Sequence, residues 1–176
     1  MIQRYFQDMR SLWLDPSGFF ARSPERLNEK EAFRFANLTG LAIALELGLV
    51  EILSGSSWMN VVLVTLVMFL ALPFLVNAWI YLWDGFLRLC AFLLGEKVPF
   101  TETRSVVAYS LGGFLFVGIG FGVGKWLALA TFLFQVLGLE KSLKCSRWTA
   151  GVLVLFPLSL VLVLVVFTLF MFKVFQ

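Results

Sequence analysis

The feature that most constrains this chain is a long stretch without charge. Between Glu51 and Asp84 there is no charged residue. With Ser54–Asn60 taken as a short turn, Val61–Trp83 leaves 23 residues, enough to cross a bilayer as a helix at about 1.5 Å per residue. The 176-residue chain is 60% hydrophobic and 14% charged, with a mean hydropathy of +0.92. A soluble domain of this length cannot bury so much apolar surface. An all-α, polytopic integral membrane protein is therefore predicted.

Charged residues divide the chain into five predicted transmembrane helices. The approximate spans are 35–53, 61–83, 105–120, 122–139 and 148–172. A glycine-rich hairpin, Gly118–Lys125, is expected between the third and fourth spans. Phe86–Leu94 is too short to cross, so it either extends the second helix or lies along the membrane interface. If the helix continues, Asp84 and Arg88, four residues apart, are placed to pair.

Lys and Arg are distributed unevenly between the two predicted sides. Six lie in the N-terminal segment, three in the loop after the second span and three in the loop after the fourth, which places 12 of the 14 on one side. Cytoplasmic loops carry such an excess. The N-terminus is therefore predicted in the cytoplasm and the C-terminus outside. Residues 1–34 form a cytoplasmic N-terminal segment and residues 35–176 the five-helix transmembrane domain.

The N-terminal segment begins with an amphipathic pattern. Apolar residues recur at helical spacing from Ile2 to Trp13, with polar residues on the other face. Such a helix is expected either in the lipid headgroup region or packed on the protein's own cytoplasmic loops. Asp15–Phe20 is expected to break it. A second helix is predicted to begin at Ser23, which can cap it, and to run through Arg34.

Three segments, "DPSGFF", "LLGEKVPFTETRSVVAYSLGGF" and "VLGLEKSLKCSRWTAGVLVLFPL", resemble the Yip family of five-span membrane proteins, its bacterial branch most of all. The matching residues are Pro16, Phe19, Phe20, Gly95, Phe100, Thr103, Arg104, Ala108, Tyr109, Ser110, Gly138 and Leu139. The family is named for binding Ypt/Rab GTPases. The eukaryotic "G-Y-S-L-x-P" element lacks its proline here, at Gly113. The resemblance thus implies the five-span fold and a trafficking-like role, in a bacterial cytoplasmic membrane or a eukaryotic endomembrane, and does not carry Rab-type GTPase binding to this chain.

The first span carries a stripe of small residues and two carboxylates. Gly40, Ala44 and Gly48 share one helical face, a pattern that lets another helix approach closely. Glu51 ends this stripe near the outer surface. Glu46 lies away from the stripe, near the middle of the span, where a charge costs about 2.5–3.5 kcal/mol.

Glu46 is therefore expected to be neutral or hydrogen-bonded, in a polar pocket or a subunit contact, or else part of a transport pathway. Its potential partners on other spans are polar and uncharged. They include Asn77, Tyr109, Ser110 and Gln135. Arg104, at the cytoplasmic end of the third span beside Tyr109, is a further candidate functional residue, for a phosphate group.

Two classes of function remain open at this point. The chain has no histidine, its two cysteines form no CxxC pair, and no nucleophile–base pair is visible, so an enzyme, a metal site or a cofactor is not expected. The first hypothesis, which the Yip resemblance implies, is a non-enzymatic protein that organises or shapes the membrane or recruits partners. The alternative is a small oligomeric transporter, channel or lipid-moving protein that uses Glu46. The expected partners are the bilayer, anionic lipid at the basic cytoplasmic loops and further copies of the chain, with no nucleic acid.

Overall fold

The computed structural model describes residues 2–21, 28–95, 100–116, 123–156 and 159. Within these ranges the secondary structure is helical throughout, with no strand. We number the α-helices in chain order. They are α1 (Ile2–Leu14), α2 (Pro16–Ala21), α3 (Glu29–Leu53), α4 (Trp58–Leu93), α5 (Phe100–Ser110), α6 (Val123–Leu143) and α7 (Arg147–Phe156). A 3-10 helix, Leu111–Phe116, follows α5 directly.

Helices α3 and α4 form an antiparallel hairpin, and each begins at a capping side chain. The side chain of Asn28 accepts a hydrogen bond from the backbone N–H of Lys30, and that of Ser57 accepts one from Asn60. Both helices are long and apolar enough to cross a membrane, with mean hydropathies of 1.6 and 2.5 over their most apolar windows. Only 6% of that window in α4 is buried, whereas the core helix of a soluble protein would be mostly covered. The all-helical prediction is confirmed for the described residues.

Helix α4 continues well beyond the predicted second span. It runs without interruption from Trp58 to Leu93 and contains Pro73. Residues 86–94 therefore extend this helix as far as Leu93, which decides between the two alternatives. Its buried side chains are concentrated in the C-terminal half, between Ile80 and Ala91, where α3 and α5 pack against one side of it. The N-terminal half exposes Leu, Val and Phe side chains, as a lipid-facing helix does.

Helix α1 packs against the helical bundle. Tyr5, Met9 and Leu12 are buried, and the indole Nε1 of Trp13 donates a hydrogen bond to the carbonyl of Gly112 at 3.2 Å. Within the described ranges, α1 thus packs on other helices of the chain, which agrees only in part with the packed alternative, since that alternative placed the helix on cytoplasmic loops.

The segment after α1 differs from its prediction in two respects. Asp15 ends α1, as expected, but the following residues form α2 because the carboxylate of Asp15 accepts the N–H of Gly18 at 2.9 Å and starts a new helix. Ser23 lies outside the described residues. The prediction of a continuous helix from Ser23 to Arg34 is wrong, since Asn28 has an extended backbone and caps α3, which begins at Glu29.

The predicted third span is helical in two parts. Helix α5 is central in the bundle, with Ser105 to Ala108 fully covered, and it gives way to the 3-10 helix at Leu111. Gly112 and Gly113, near the start of the 3-10 helix, allow close packing against neighbouring helices. A Cβ atom on Gly113 would lie 2.4 Å from the backbone nitrogen of Thr131 in α6. Only glycine lets these two backbones approach so closely.

Helices α6 and α7 coincide with parts of the last two predicted spans. Helix α6 covers 123–143, and α7 covers 147–156. The loop between them is held by an exposed ion pair, since Nε of Arg147 donates to the Glu140 carboxylate at 2.8 Å. Residues 117–122, most of the expected glycine hairpin, and the remainder of the fifth span lie outside the described residues.

Candidate functional site

Four charged side chains from three helices meet where α3, α4 and α5 come together. Asp84 of α4 lies 2.9 Å from Nε of Arg88 one turn later. Its Oδ2 atom also accepts a hydrogen bond from Nε of Arg104, on α5, at 3.0 Å. The Nη1 atom of Arg104 in turn donates to Glu29, at the start of α3, at 3.0 Å. We call Glu29, Asp84, Arg88 and Arg104 the charge cluster.

The charge cluster is formally neutral and largely enclosed. The side chain of Asp84 is only 4% exposed and that of Arg88 15%, whereas Arg104 and Glu29 are about one third exposed. The guanidinium of Arg104 lies 5.0 Å from the centroid of the Tyr81 ring, a cation–π contact. The hydrogen bonds to Glu29 and then to Asp84 raise the pKa of Arg104 above its ordinary value. Two carboxylates therefore already hold the group expected to bind phosphate.

A second polar contact lies one residue from the charge cluster. The indole Nε1 of Trp83 donates to Oε1 of Gln135, on α6, at 2.8 Å, and both side chains are almost fully buried. Trp79 stacks on Trp83 at a centroid distance of 5.3 Å. The sequence suggests Gln135 as a potential partner of Glu46, and in the structure its Oε1 atom accepts from Trp83. This hydrogen bond ties α4 to α6 in the same region where the ion pairs tie α4 to α3 and α5.

Tyr109 and Ser110 serve packing within the bundle. The Tyr109 ring lies 5.0 Å from the rings of both Phe19 and Phe35, so it joins α2, α3 and α5. The hydroxyl of Ser110 donates to the carbonyl of Val107 at 2.7 Å. Neither contact involves Glu46.

The small residues of α3 face α4. Ala44 is fully buried. A Cβ atom on Gly48 would meet the hydroxyl of Thr65 at 2.4 Å, and one on Gly40 would meet the Val76 side chain at 3.1 Å. The two helices approach closely along this line because no side chain separates them.

The remaining candidates lie apart from the charge cluster. Glu51 is half-buried at the end of α3, where the hydroxyl of Ser56 donates to its carboxylate. Glu46 is also half-buried. Its charge contributes to raising the pKa of Tyr5, for which burial is the main cause. The side-chain oxygen of Asn77 is buried and accepts no hydrogen bond within the described part of the chain.

The hairpin has two grooves that are lined almost entirely by apolar side chains. Each has a volume of about 530 Å³. One runs beside Gly40, Ile43 and Trp79, and the other beside Gly48 and Phe69. Glu46 lines neither groove. Among the described residues there is no group of three His, Cys, Asp or Glu side chains that could hold a metal ion.

The sequence singles out three of the four residues of the charge cluster. The pairing of Asp84 with Arg88 follows from their spacing of four residues, and Arg104 was a candidate residue. Glu29 and Trp83 were missed, because their contacts join residues 75 and 52 positions apart. Comparisons with protein-family models, curated proteins and solved structures find no match to this chain.

Proposed function

We propose that the chain is a non-enzymatic integral membrane protein of Yip-like type that organises or shapes the membrane, or recruits partners at its cytoplasmic face. It crosses the membrane five times, with the N-terminus in the cytoplasm and the C-terminus outside, in a bacterial cytoplasmic membrane or a eukaryotic endomembrane. The observation that carries this proposal is the charge cluster. Its ionisable groups are engaged with one another across three helices, as a scaffold requires, and do not converge on an open site.

The surroundings of the charge cluster support a scaffold in two further ways. The polar side chains next to it, Trp83 and Gln135, also bond to each other. The outer half of the hairpin presents exposed apolar side chains such as Leu63, Leu70 and Phe74, which suit contact with lipid. Helices α1 and α2 are built into this scaffold, so their outward faces are held in a fixed position beside the membrane.

The orientation is tested by cysteine labelling in sealed cells or vesicles. Cys90 and Cys145 are first replaced by Ala, and single cysteines are introduced as Ser56→Cys, Arg10→Cys or Lys144→Cys. A membrane-impermeant maleimide applied from outside should modify the Ser56→Cys variant alone. The other two should react only after permeabilisation. Labelling of the Ser56 and Arg10 positions from the same side would contradict the proposed topology.

The function is tested with the purified protein in vesicles. Reconstitution should change the diameter distribution of the vesicles, seen by electron cryomicroscopy, while solute leak and lipid exchange stay at the level of empty vesicles. Glu46→Gln serves as the comparison, and it should alter neither measurement. Protein-dependent flux that falls in Glu46→Gln would instead establish transport.

One observation favours the alternative of an oligomeric transporter, channel or lipid-moving protein. Glu46 is half-buried on a helix long and apolar enough to cross a membrane, and its charge is close enough to Tyr5 to raise the pKa of that phenol. Placing a carboxylate at this depth of a membrane costs free energy, and such residues usually mark a transport pathway or another functional site. The apolar lining of the hairpin grooves favours the scaffold, and the flux comparison decides between the two.

A further inference from the structure

A mixed polar and apolar pocket lies between α1 and the first turns of α3. Its volume is about 350 Å³. Two arginines and two carboxylates form its walls, Arg4 and Asp8 from α1 and Glu31 and Arg34 from α3, and Phe35 and Leu38 contribute apolar surface. Because these groups come from two elements far apart in sequence, the pocket exists only when α1 is docked. It is separate from the charge cluster.

The charges around the pocket are arranged unequally. Arg4 is engaged by Glu31 through two parallel hydrogen bonds, one of them from Nη1 to Oε1 at 2.6 Å. The carboxylate of Asp8 is 3.9 Å from Nε of Arg4. Arg34 is exposed, and it forms no ion pair with any other described residue. Beside Arg4 the two carboxylates of Asp8 and Glu31 exceed the one guanidinium, so this side of the pocket carries a net charge of −1, which favours a cation, whereas Arg34 offers a guanidinium to an anion.

The position of the pocket along α3 indicates the kind of ligand that could supply both a negative and a positive charge. Arg34 is the last charged residue before the apolar stretch that begins at Phe35. In the proposed orientation this is the level of the inner headgroups. Leu38, half-buried one turn after Arg34, lies on the membrane side, where the glycerol and first acyl carbons of a lipid would pack, and the buried Phe35 forms part of the pocket wall. A free anion would use Arg34 alone and leave the apolar surface of Leu38 uncovered.

We propose that this pocket binds the headgroup of a zwitterionic phospholipid with a primary ammonium group, such as phosphatidylethanolamine. The phosphate lies against Arg34, in the bidentate geometry that guanidinium groups favour. The ammonium lies near Asp8 and the Arg4–Glu31 pair. The four charged walls sum to zero, so a headgroup with one charge of each sign fits better than a net anion. This inference rests on the proposed membrane orientation.

The test is native mass spectrometry of the full chain in detergent. The protein is titrated with phosphatidylethanolamine, with phosphatidylglycerol of the same acyl chains, or with inorganic phosphate. The expected result is saturable binding of one phosphatidylethanolamine, weaker binding of phosphatidylglycerol, and no competition by phosphate. Arg34→Gln should weaken phosphatidylethanolamine binding about tenfold, and Arg34→Lys should weaken it less, because the charge remains and the fork is lost.

Asp8→Asn separates the ammonium contact from the phosphate contact. It should remove the preference for phosphatidylethanolamine over phosphatidylglycerol while binding of one lipid persists. Arg10→Gln, an exposed arginine of α1 that does not line the pocket, is the matched control and should behave as the wild type does. Gel filtration and circular dichroism confirm that each variant is folded.

Three outcomes would overturn the proposal. They are equal phosphatidylethanolamine affinity in Arg34→Gln and the wild type, equal binding of the two lipids by the wild type, and displacement of lipid by inorganic phosphate. Lipid binding in detergent does not depend on which way the chain crosses a membrane. A wrong orientation would appear in the cysteine labelling, so the two failures are distinguishable.

Discussion

Replacing Asp84 by Asn should destabilise the bundle more than almost any other single change of charge. Asp84 holds two arginines, at 2.9 and 3.0 Å, and its own side chain is 4% exposed. Removing one partner of a buried ion pair costs about 3–5 kcal/mol, because the other charge is left uncompensated. Arg104 is 28% exposed, so water screens part of this, and we expect about 2–3 kcal/mol.

Thermal unfolding in detergent micelles measures this loss. For a chain of this size about 1 kcal/mol corresponds to roughly 2–4 °C, so Asp84→Asn should lower Tm by about 4–12 °C. Arg104→Gln should lower it as well. The double variant should lose about 1–2 kcal/mol less than the sum of the two single losses, because the charge cluster is neutral again. Arg147→Gln, which breaks the exposed pair with Glu140, is the control and should give no resolvable shift.

Two results would refute the reasoning. A shift in Asp84→Asn no larger than in Arg147→Gln would show that the buried ion pairs contribute nothing to the folded state. Strict additivity of Asp84→Asn and Arg104→Gln would show that the two side chains do not interact.

The remaining predictions concern the backbone contact, the buried hydrogen bond and the docked helix. Gly113→Ala should lower the free energy of unfolding by about 1–3 kcal/mol, because its Cβ would lie 2.4 Å from the backbone nitrogen of Thr131; thermal unfolding measures it. Trp83→Phe should cost about 1–3 kcal/mol in the same assay, because the buried Oε1 of Gln135 loses its donor. Burial raises the pKa of Tyr5 above its ordinary value, so its contribution to docking α1 is complete below about pH 10 and is lost as the pH rises through the raised pKa. Protease cleavage of α1 should therefore increase at alkaline pH, and Tyr5→Phe should abolish that increase.

Matched controls exist for the first two of these. Gly85→Ala lies within α4 with open space at its Cβ position, so it should be neutral or slightly stabilising. Trp79 is 38% exposed, and Trp79→Phe should cost less than Trp83→Phe. Equal losses of stability in Gly113→Ala and Gly85→Ala would show that crowding at Gly113 is not the cause. Equal losses in Trp83→Phe and Trp79→Phe would show the same for the hydrogen bond to Gln135. Cleavage of α1 that does not change with pH in the wild type would contradict the role given to Tyr5.

The sequence predicted local features of this fold well. The helical class, the long apolar hairpin and the face formed by Gly40, Ala44 and Gly48 depend on residues near one another in the chain, where helical periodicity carries the information. The pairing of Asp84 with Arg88 has the same origin. These features follow from hydrophobic pattern and helix geometry, which act over a few residues.

The contacts that assemble the bundle could not be predicted in this way. Arg104 joins Asp84 and Glu29, and Gln135 joins Trp83 across 52 positions, but no periodicity relates these residues. Glu46 is conspicuous in the sequence because it breaks an apolar run, whereas Asp84 lies at a predicted span boundary, where only its spacing from Arg88 indicates a partner. Docking of α1 was open for the same reason, since one amphipathic face suits lipid and protein equally.

The length of α4 has a consequence for how the hairpin fits membranes of different thickness. Its 36 residues make a rod of about 54 Å, much longer than a hydrocarbon core of about 30 Å. The ion pairs of Asp84 fix the inner end of this rod to its neighbours. In the proposed orientation, hydrophobic mismatch is therefore accommodated at the opposite end, where the Ser54–Ser57 turn moves outward in a thin bilayer and inward in a thick one. A change in bilayer thickness would therefore change the position of the turn on the outer side of the membrane, while the helix contacts on the inner side stay the same.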